Sequence, residues 1–238
     1  MKPLVGSCSI RGVETDHYTE NANCPRCHSV IRQRFVMEFI RQRTDLITRR
    51  QRVLHFAPEI GLYSQLKSLD LDYVPADLDP NRFVEAVYVD ATDIPFGAEF
   101  DHVISIHVLE HIVEDKKAIA EIYRVTKPGG HALLAVPIYG DTTFEVPGLD
   151  FSGREKQYGA GDHVRLNGLD FADKLKTAGF EVDIVSYHDL PGNFVDRSVS
   201  SPHTQSDEYL FYCTKPATTH GALGAMSRCA SLTTHRAT

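Results

Sequence analysis

Between residues 52 and 136 the chain alternates short apolar runs with amphipathic stretches, and this rhythm limits it to few architectures. Residues 52–56 (RVLHF), 73–76, 86–89, 102–106 and 131–136 read as buried strands. Residues 61–69 and 115–125 between them carry helical spacing. Strands alternating with helices predict an α/β fold: a Rossmann-like, doubly wound sheet, mostly parallel, with helices on both faces. Residues 169–178 read as a further helix stopped by Gly179, a residue suited to a left-handed C-terminal position. Residues 180–187 and 208–214 alternate like two antiparallel strands. The expected sheet therefore ends in an antiparallel strand.

The flanks differ. Residues 1–30 are polar and loop-like, and hold three of the five cysteines. Residues 31–50 space Ile31, Phe35, Phe39 and Ile40 as one face of a helix, with arginines between them. Those arginines are expected on a solvated face. Residues 138–168 show no period and read as a lid, and 216–238 read as a disordered tail. The formal charge of -7 counts against a protein whose main partner is nucleic acid. No run approaches the ~20 apolar residues of a membrane span, and residues 1–12 lack the apolar centre of an export signal. A reducing, cytoplasmic setting is expected.

In an open α/β sheet the ligand sits beyond the carboxyl ends of the strands, where the strand order reverses. Those ends carry Ala57-Pro58-Glu59-Ile60-Gly61, then Asp77-Leu78-Asp79, then Asp90-Ala91, then His107. Acidic or polar groups at successive strand ends can line one crevice.

The segments RVLHFAPEIG, YVPADLDP, VDATDIPF, FDHVISIHVLEHI and AIAEIYRVTKPGGHALLAVP, in this order, resemble class I S-adenosylmethionine-dependent methyltransferases of the type 11 group. The resemblance implies an enzyme that binds S-adenosylmethionine. It implies that Asp77, with Asp79 as competitor, takes the ribose hydroxyls, since a carboxylate accepts two hydrogen bonds at once. It implies that Asp90 meets the adenine amino group and the Ala91 amide a ring nitrogen. Phe56, Ala57, Pro58, Glu59, Gly61 and Leu78 complete the expected cofactor site, with His107 facing the reacting methyl. The first loop departs from the family pattern. His55 replaces the acid, and Ala57 and Glu59 stand at glycine positions, leaving Gly61. Glu59 is a candidate for the cofactor's ammonium group.

The lid contributes candidate acceptor residues Tyr139, Glu145, Arg154, Tyr158 and Arg165, and the stretch GAGDHVR supplies Asp162 and His163. His163, His107 and Asp162 are the candidate catalytic groups, with a histidine as general base. His111 is expected to serve structure. NANCPRCHSVIRQR resembles half of a degenerate zinc ribbon, with Cys8, Cys24 and Cys27 as candidate zinc ligands and His17 or His28 as the fourth. The expected organisation is that segment at 1–30, a methyltransferase domain at 31–215 and the tail. The expected acceptor is a small molecule or glycan. The alternatives are a non-catalytic partner protein that keeps the fold and an RNA methyltransferase.

Overall fold

The computed structural model describes residues 2–10, 13–24, 29–79, 81, 85–190 and 209–217, with side chains from residue 24 onward. Its elements are β1 (Lys2–Ile10), β2 (Val13–Asn23), α1 (Ile31–Arg43), β3 (Arg52–Phe56), α2 (Ile60–Lys67), β4 (Asp72–Asp77), β5 (Val87–Tyr88), β6 (Phe100–Ile106), α3 (Asp115–Val125), β7 (Thr126–Ala135), α4 (Phe151–Tyr158), α5 (Phe171–Thr177), β8 (Glu181–Ser186) and β9 (Tyr209–Thr214). The tail at 218–238 lies outside the described residues.

Seven strands form one sheet in the order β5-β4-β3-β6-β7-β9-β8. The pairs among β5, β4, β3, β6 and β7 are parallel, and β9 runs antiparallel to β7 and β8. From β3 the chain builds outward to β4 and β5, then returns to place β6 on the other side of β3. The switch in strand order therefore falls between β3 and β6. A ligand crevice belongs at the carboxyl ends of these two strands.

Alternation along the strands splits the core into two layers, because successive side chains point to opposite faces. Leu54, Phe56, Val103, Ala132 and Leu134 face one way and pack with Ala118, Ile119 and Ile122 of α3 and Phe171 and Leu175 of α5. Val53, Ile104, Ile106 and Leu133 face the other way and pack with Phe35, Phe39 and Ile40 of α1 and Leu62 and Leu66 of α2. Helices thus cover both faces, as the doubly wound fold requires. No helix among the described residues is long and apolar enough to cross a membrane.

Three segments differ from the sequence reading. Residues 1–30 are not simply loop: β1 and β2 pair as an antiparallel hairpin. Residues 138–168 hold α4, capped by the Asp150 carboxylate, which accepts from the Gly153 N–H at 2.7 Å. This segment is also tied down by bridges from Ile138 to Asn167 and from Phe144 to Leu166. The third strand shrinks to Val87–Tyr88 on the exposed sheet edge, where few apolar neighbours reward a longer one.

Gly61 has a packing role in place of the expected cofactor contact. It is buried in the first turn of α2, and a Cβ there would lie 2.3 Å from Gln33 Oε1 and 2.7 Å from the Ser29 Cα. The glycine lets α2 meet the start of α1. Gly61→Ala should destabilise the protein by about 1–3 kcal/mol, the usual range for overpacking. Thermal unfolding reads this; an unchanged midpoint would contradict the packing.

Candidate active site

A cavity of about 1010 Å³ opens at the carboxyl ends of β3, β4 and β6, at the switch point. Its walls come from the segments that follow the strands. Phe56 and Ala57 follow β3, Asp77 and Leu78 follow β4, Asp90 and Ala91 follow β5, and His107 follows β6. Arg154, Asp162 and His163 close it from the 138–168 segment.

The first loop folds without its glycines. Ala57 takes a positive φ of 41°, the region that favours glycine, and its N–H donates to the Ala76 carbonyl at 2.7 Å. An alanine there costs on the order of 1 kcal/mol, so the surrounding sheet must hold the bend in place. Glu59 lines the cavity, and both its carboxylate oxygens meet the Arg32 guanidinium from α1, one at 3.1 Å. Arg32 is therefore a wall of the cavity, and the reading of the α1 arginines as a solvated face fails for it. Pro58 is buried and Gly61 faces α1, so neither lines the cavity.

The two carboxylates of the second strand end separate cleanly. Asp77 is buried, lines the cavity, and accepts the Asp79 N–H on Oδ1 at 2.9 Å, which fixes its orientation. Asp79 is exposed and turns outward to accept from the Asn81 N–H at 3.0 Å. Of the two, only Asp77 lines the cavity. Asp90 lines the wall and uses Oδ1 to accept from the N–H and hydroxyl of Thr92, each at 2.8 Å.

His55 sits outside the cavity. It is buried in β3, its Nδ1 lies 2.7 Å from the Tyr73 hydroxyl, and burial pushes its pKa down to about 3. His102 in β6 is pushed to about 4, mainly by burial and then by its neighbour His131. In the unfolded chain both return to an ordinary value near ~6.5. The fold excludes protons that the unfolded chain takes up. The contribution of these two histidines to stability is therefore complete above pH ~6.5 and is lost as the pH falls towards about 4, by up to about 1.4 kcal/mol per pH unit for each. Denaturant unfolding at pH 7 and pH 5 should give a clearly lower stability at pH 5.

A second polar group gathers on the opposite wall. After β6 the chain bends at His107, with φ 53°, into one turn of 3-10 helix, Leu109–His111. This turn aims Glu110 and His111 at the cavity. Glu110 is 1% exposed, and His107 Nδ1 and His111 Nε2 lie 3.7 and 3.9 Å from its Oε1. Burial holds the Glu110 carboxyl above the usual range. His163 meets His111 edge to face with ring centres 4.8 Å apart, and burial, then His111, pushes its pKa down to about 4. His111 is thus part of the cavity wall. Arg32, Glu110 and Thr92 also line the cavity and were not among the sequence candidates. The motif VLEHI carried the signal for Glu110 and His111, but it reads as helix until the turn is seen.

Four lid candidates face away from the cavity. Arg165 is 2% exposed; it donates to the carbonyls of Leu109, Ile112 and Val113 and to the Glu145 carboxylate. Tyr158 is buried, and its hydroxyl accepts the Val146 N–H at 2.8 Å. Tyr139 and Glu145 are likewise absent from the cavity wall, Glu145 because it is held on Arg165. These residues assemble the lid. Of the acceptor candidates only Arg154 reaches the cavity. Among the candidate zinc ligands, Cys24 is partly buried, while Cys27 and the Cys8 side chain lie outside the described residues.

Comparison with known proteins agrees with this geometry. Residues 62–134 match the family model described as a methyltransferase domain. A tRNA (carboxymethyluridine(34)-5-O)-methyltransferase of Arabidopsis thaliana is 46% identical over 56 residues, 22% of this chain and 14% of that protein. The chain spans less than a third of the length of the curated relatives it matches. Among solved structures, the (4+2)-cyclase SpnF superposes with a TM-score of 0.59 at 16% identity, over 89% of this chain and 90% of that one. Phosphoethanolamine N-methyltransferase 2 of Haemonchus contortus, in complex with S-adenosyl-L-methionine, gives 0.52 at 18% identity, over 76% and 52%. Residues 62–134 are therefore similar to a methyltransferase domain, and the fold around them is the one seen in solved class I methyltransferases.

Proposed function

We propose that the chain transfers a methyl group from S-adenosylmethionine to a small-molecule or glycan acceptor. The observation that carries this reading is one cavity at the switch point with Asp77 and Asp90 fixed on its wall at successive strand ends. The donor set fits the cofactor. In this reading Asp77 accepts from the ribose hydroxyls, Asp90 from the adenine amino group, and the Ala91 amide reaches a ring nitrogen. The Arg32 and Glu59 pair offers one charge of each sign, which suits the carboxylate and ammonium of an amino-acid end. Bound cofactor supplies an electrophilic methyl on sulfur.

The protein's own part is positioning and proton management. Holding the acceptor in line with that methyl can supply much of the rate. Exposed Phe151 and Val113 at the cavity wall offer apolar surface for an acceptor's body. His163 and His107 are the candidate bases; burial keeps His163 unprotonated at pH 7 and also makes it a weaker base than a free imidazole. Asp162 lies 3.5 Å from His111 Nδ1, and its charge also favours the protonated form of His163 directly. A cytoplasmic location belongs to this proposal and rests on the sequence alone.

A second reading, a non-catalytic partner protein, draws on the first loop. Ala57, Pro58 and Glu59 occupy space that glycines leave open, and the Arg32–Glu59 pair stands on that wall. RNA is a third acceptor class, raised by the tRNA-modifying relative. The test is transfer of a labelled methyl group from S-adenosylmethionine, with a panel of small hydroxyl and amine acceptors set beside bulk tRNA. Label in a small acceptor supports the proposal. Label in tRNA alone moves the acceptor to RNA. No label anywhere, with cofactor also unbound, favours the partner protein.

A further inference from the structure

We propose that Glu110, His111 and His163 hold a divalent transition-metal ion of the zinc class at the wall of the cavity. One ligand atom from each residue lies within 4.8 Å of the others. Two imidazoles and one carboxylate form a donor set that suits zinc and its first-row neighbours.

Three features separate this cluster from a chance meeting of polar groups. The first is Glu110 itself. It is 1% exposed, and neither carboxylate oxygen has a hydrogen-bond partner among the described residues. A buried carboxylate without partners costs several kcal/mol unless a cation or proton compensates it. The second is the aim of His111. Its Nε2 turns to Glu110 at 3.9 Å, while its Nδ1 turns to the Asp162 carbonyl at 3.3 Å and carboxylate at 3.5 Å. A metal-bound histidine is usually oriented in this way, with the second ring nitrogen given to a carbonyl or carboxylate. The third is His163, whose Nδ1 is buried and has no hydrogen-bond partner among the described residues.

An ion with bonds of about 2.0–2.1 Å spaces tetrahedral ligand atoms by ~3.4 Å, so ligand atoms that now lie within 4.8 Å of one another must draw in to hold it. Three protein ligands leave a coordination position open, as in catalytic rather than structural zinc sites. That position would take an oxygen of a bound acceptor. The acceptor class this implies is one with a hydroxyl or enol oxygen, which the ion would make more acidic. His107, with Nδ1 3.7 Å from Glu110, is placed to take that proton, and His163, as a ligand of the ion, would then not serve as a base.

Binding of the ion needs neither cofactor nor acceptor, so this test fails or succeeds apart from the methyl-transfer reading. The full chain, stripped with chelator, is titrated with Co²⁺ alone. Cys8→Ser, Cys24→Ser, Cys27→Ser and Cys229→Ser together form the background, so that only the buried Cys213 thiol remains. One equivalent should bind, zinc should displace it, and Glu110→Gln and His163→Ala should each weaken binding at least ~10-fold, the lower end of losses seen at metal sites. Ring-proton NMR of the unsubstituted histidines gives a readout that does not depend on the variants folding: Co²⁺ should shift the His111 and His163 signals. No stoichiometric binding, unshifted His111 and His163 signals, or well-folded variants that bind as tightly as the background chain would overturn the site.

Discussion

Arg165→Met should lower stability by about 3–5 kcal/mol, the usual cost of breaking a buried ion pair from one side. Methionine keeps much of the volume, so packing changes little and the loss reads the polar contacts. The guanidinium holds the carbonyls of Leu109, Ile112 and Val113, the Glu145 carboxylate, and lies 3.5 Å from the Asp115 carboxylate. Removing it leaves the Ile112 and Val113 carbonyls and part of the acid charge without this donor in a buried site, while the Leu109 carbonyl keeps the Ile112 N–H at 3.3 Å. Asp115 keeps Lys174 at 2.5 Å, which sets the loss below that of an isolated charge. For a chain of this size the melting temperature should fall by on the order of 10 °C. Arg165→Lys keeps the charge but loses the planar fork, and should fall between the two. Because Arg165 ties the lid to the turn carrying Glu110 and His111, the same change should also loosen the site. A melting point within 2 °C of the parent would mean, on that scale, that the clamp contributes under about 1 kcal/mol.

Asp77→Asn should weaken S-adenosylmethionine binding about 100-fold while leaving the fold intact. Asparagine keeps an oxygen that can accept the Asp79 N–H, so the turn after β4 survives. What is lost is the charge. Two hydrogen bonds to an ionised acceptor, at about 1.5 kcal/mol or more each, account for the expected change. Asp79→Asn is the internal control. It is exposed and faces Asn81, so its effect on binding should be within twofold.

The parts of this molecule that could be read from sequence are those where local pattern and burial agree. RVLHF and HVISI are apolar runs of strand length, and the structure buries them at the centre of the sheet. The polar residues after them could be located because the fold puts ligands at those ends. What resisted reading depends on contacts distant in sequence. Gly61 looks like a remnant of a cofactor loop until Ser29 and Gln33 are seen against it. Arg165 and Tyr158 look like acceptor residues, because a charged or hydroxylated side chain in an irregular segment is usually exposed. Here both are buried and bind backbone groups that the lid would otherwise leave unpaired. Glu110 and His111 fit a helical pattern, and only the bend at His107 turns them to the cavity. Arg32 shows the same limit, since no local pattern pairs a residue of α1 with Glu59.

The central claim is that the altered first loop still forms a cofactor site with Asp77 at its centre. Calorimetric titration of the parent chain and Asp77→Asn with S-adenosylmethionine tests it most directly. The account predicts saturable one-to-one binding by the parent, and a dissociation constant roughly 100-fold higher for the variant, from the two lost charge-assisted bonds. No heat of binding at millimolar cofactor, or equal affinity in parent and variant, would contradict it.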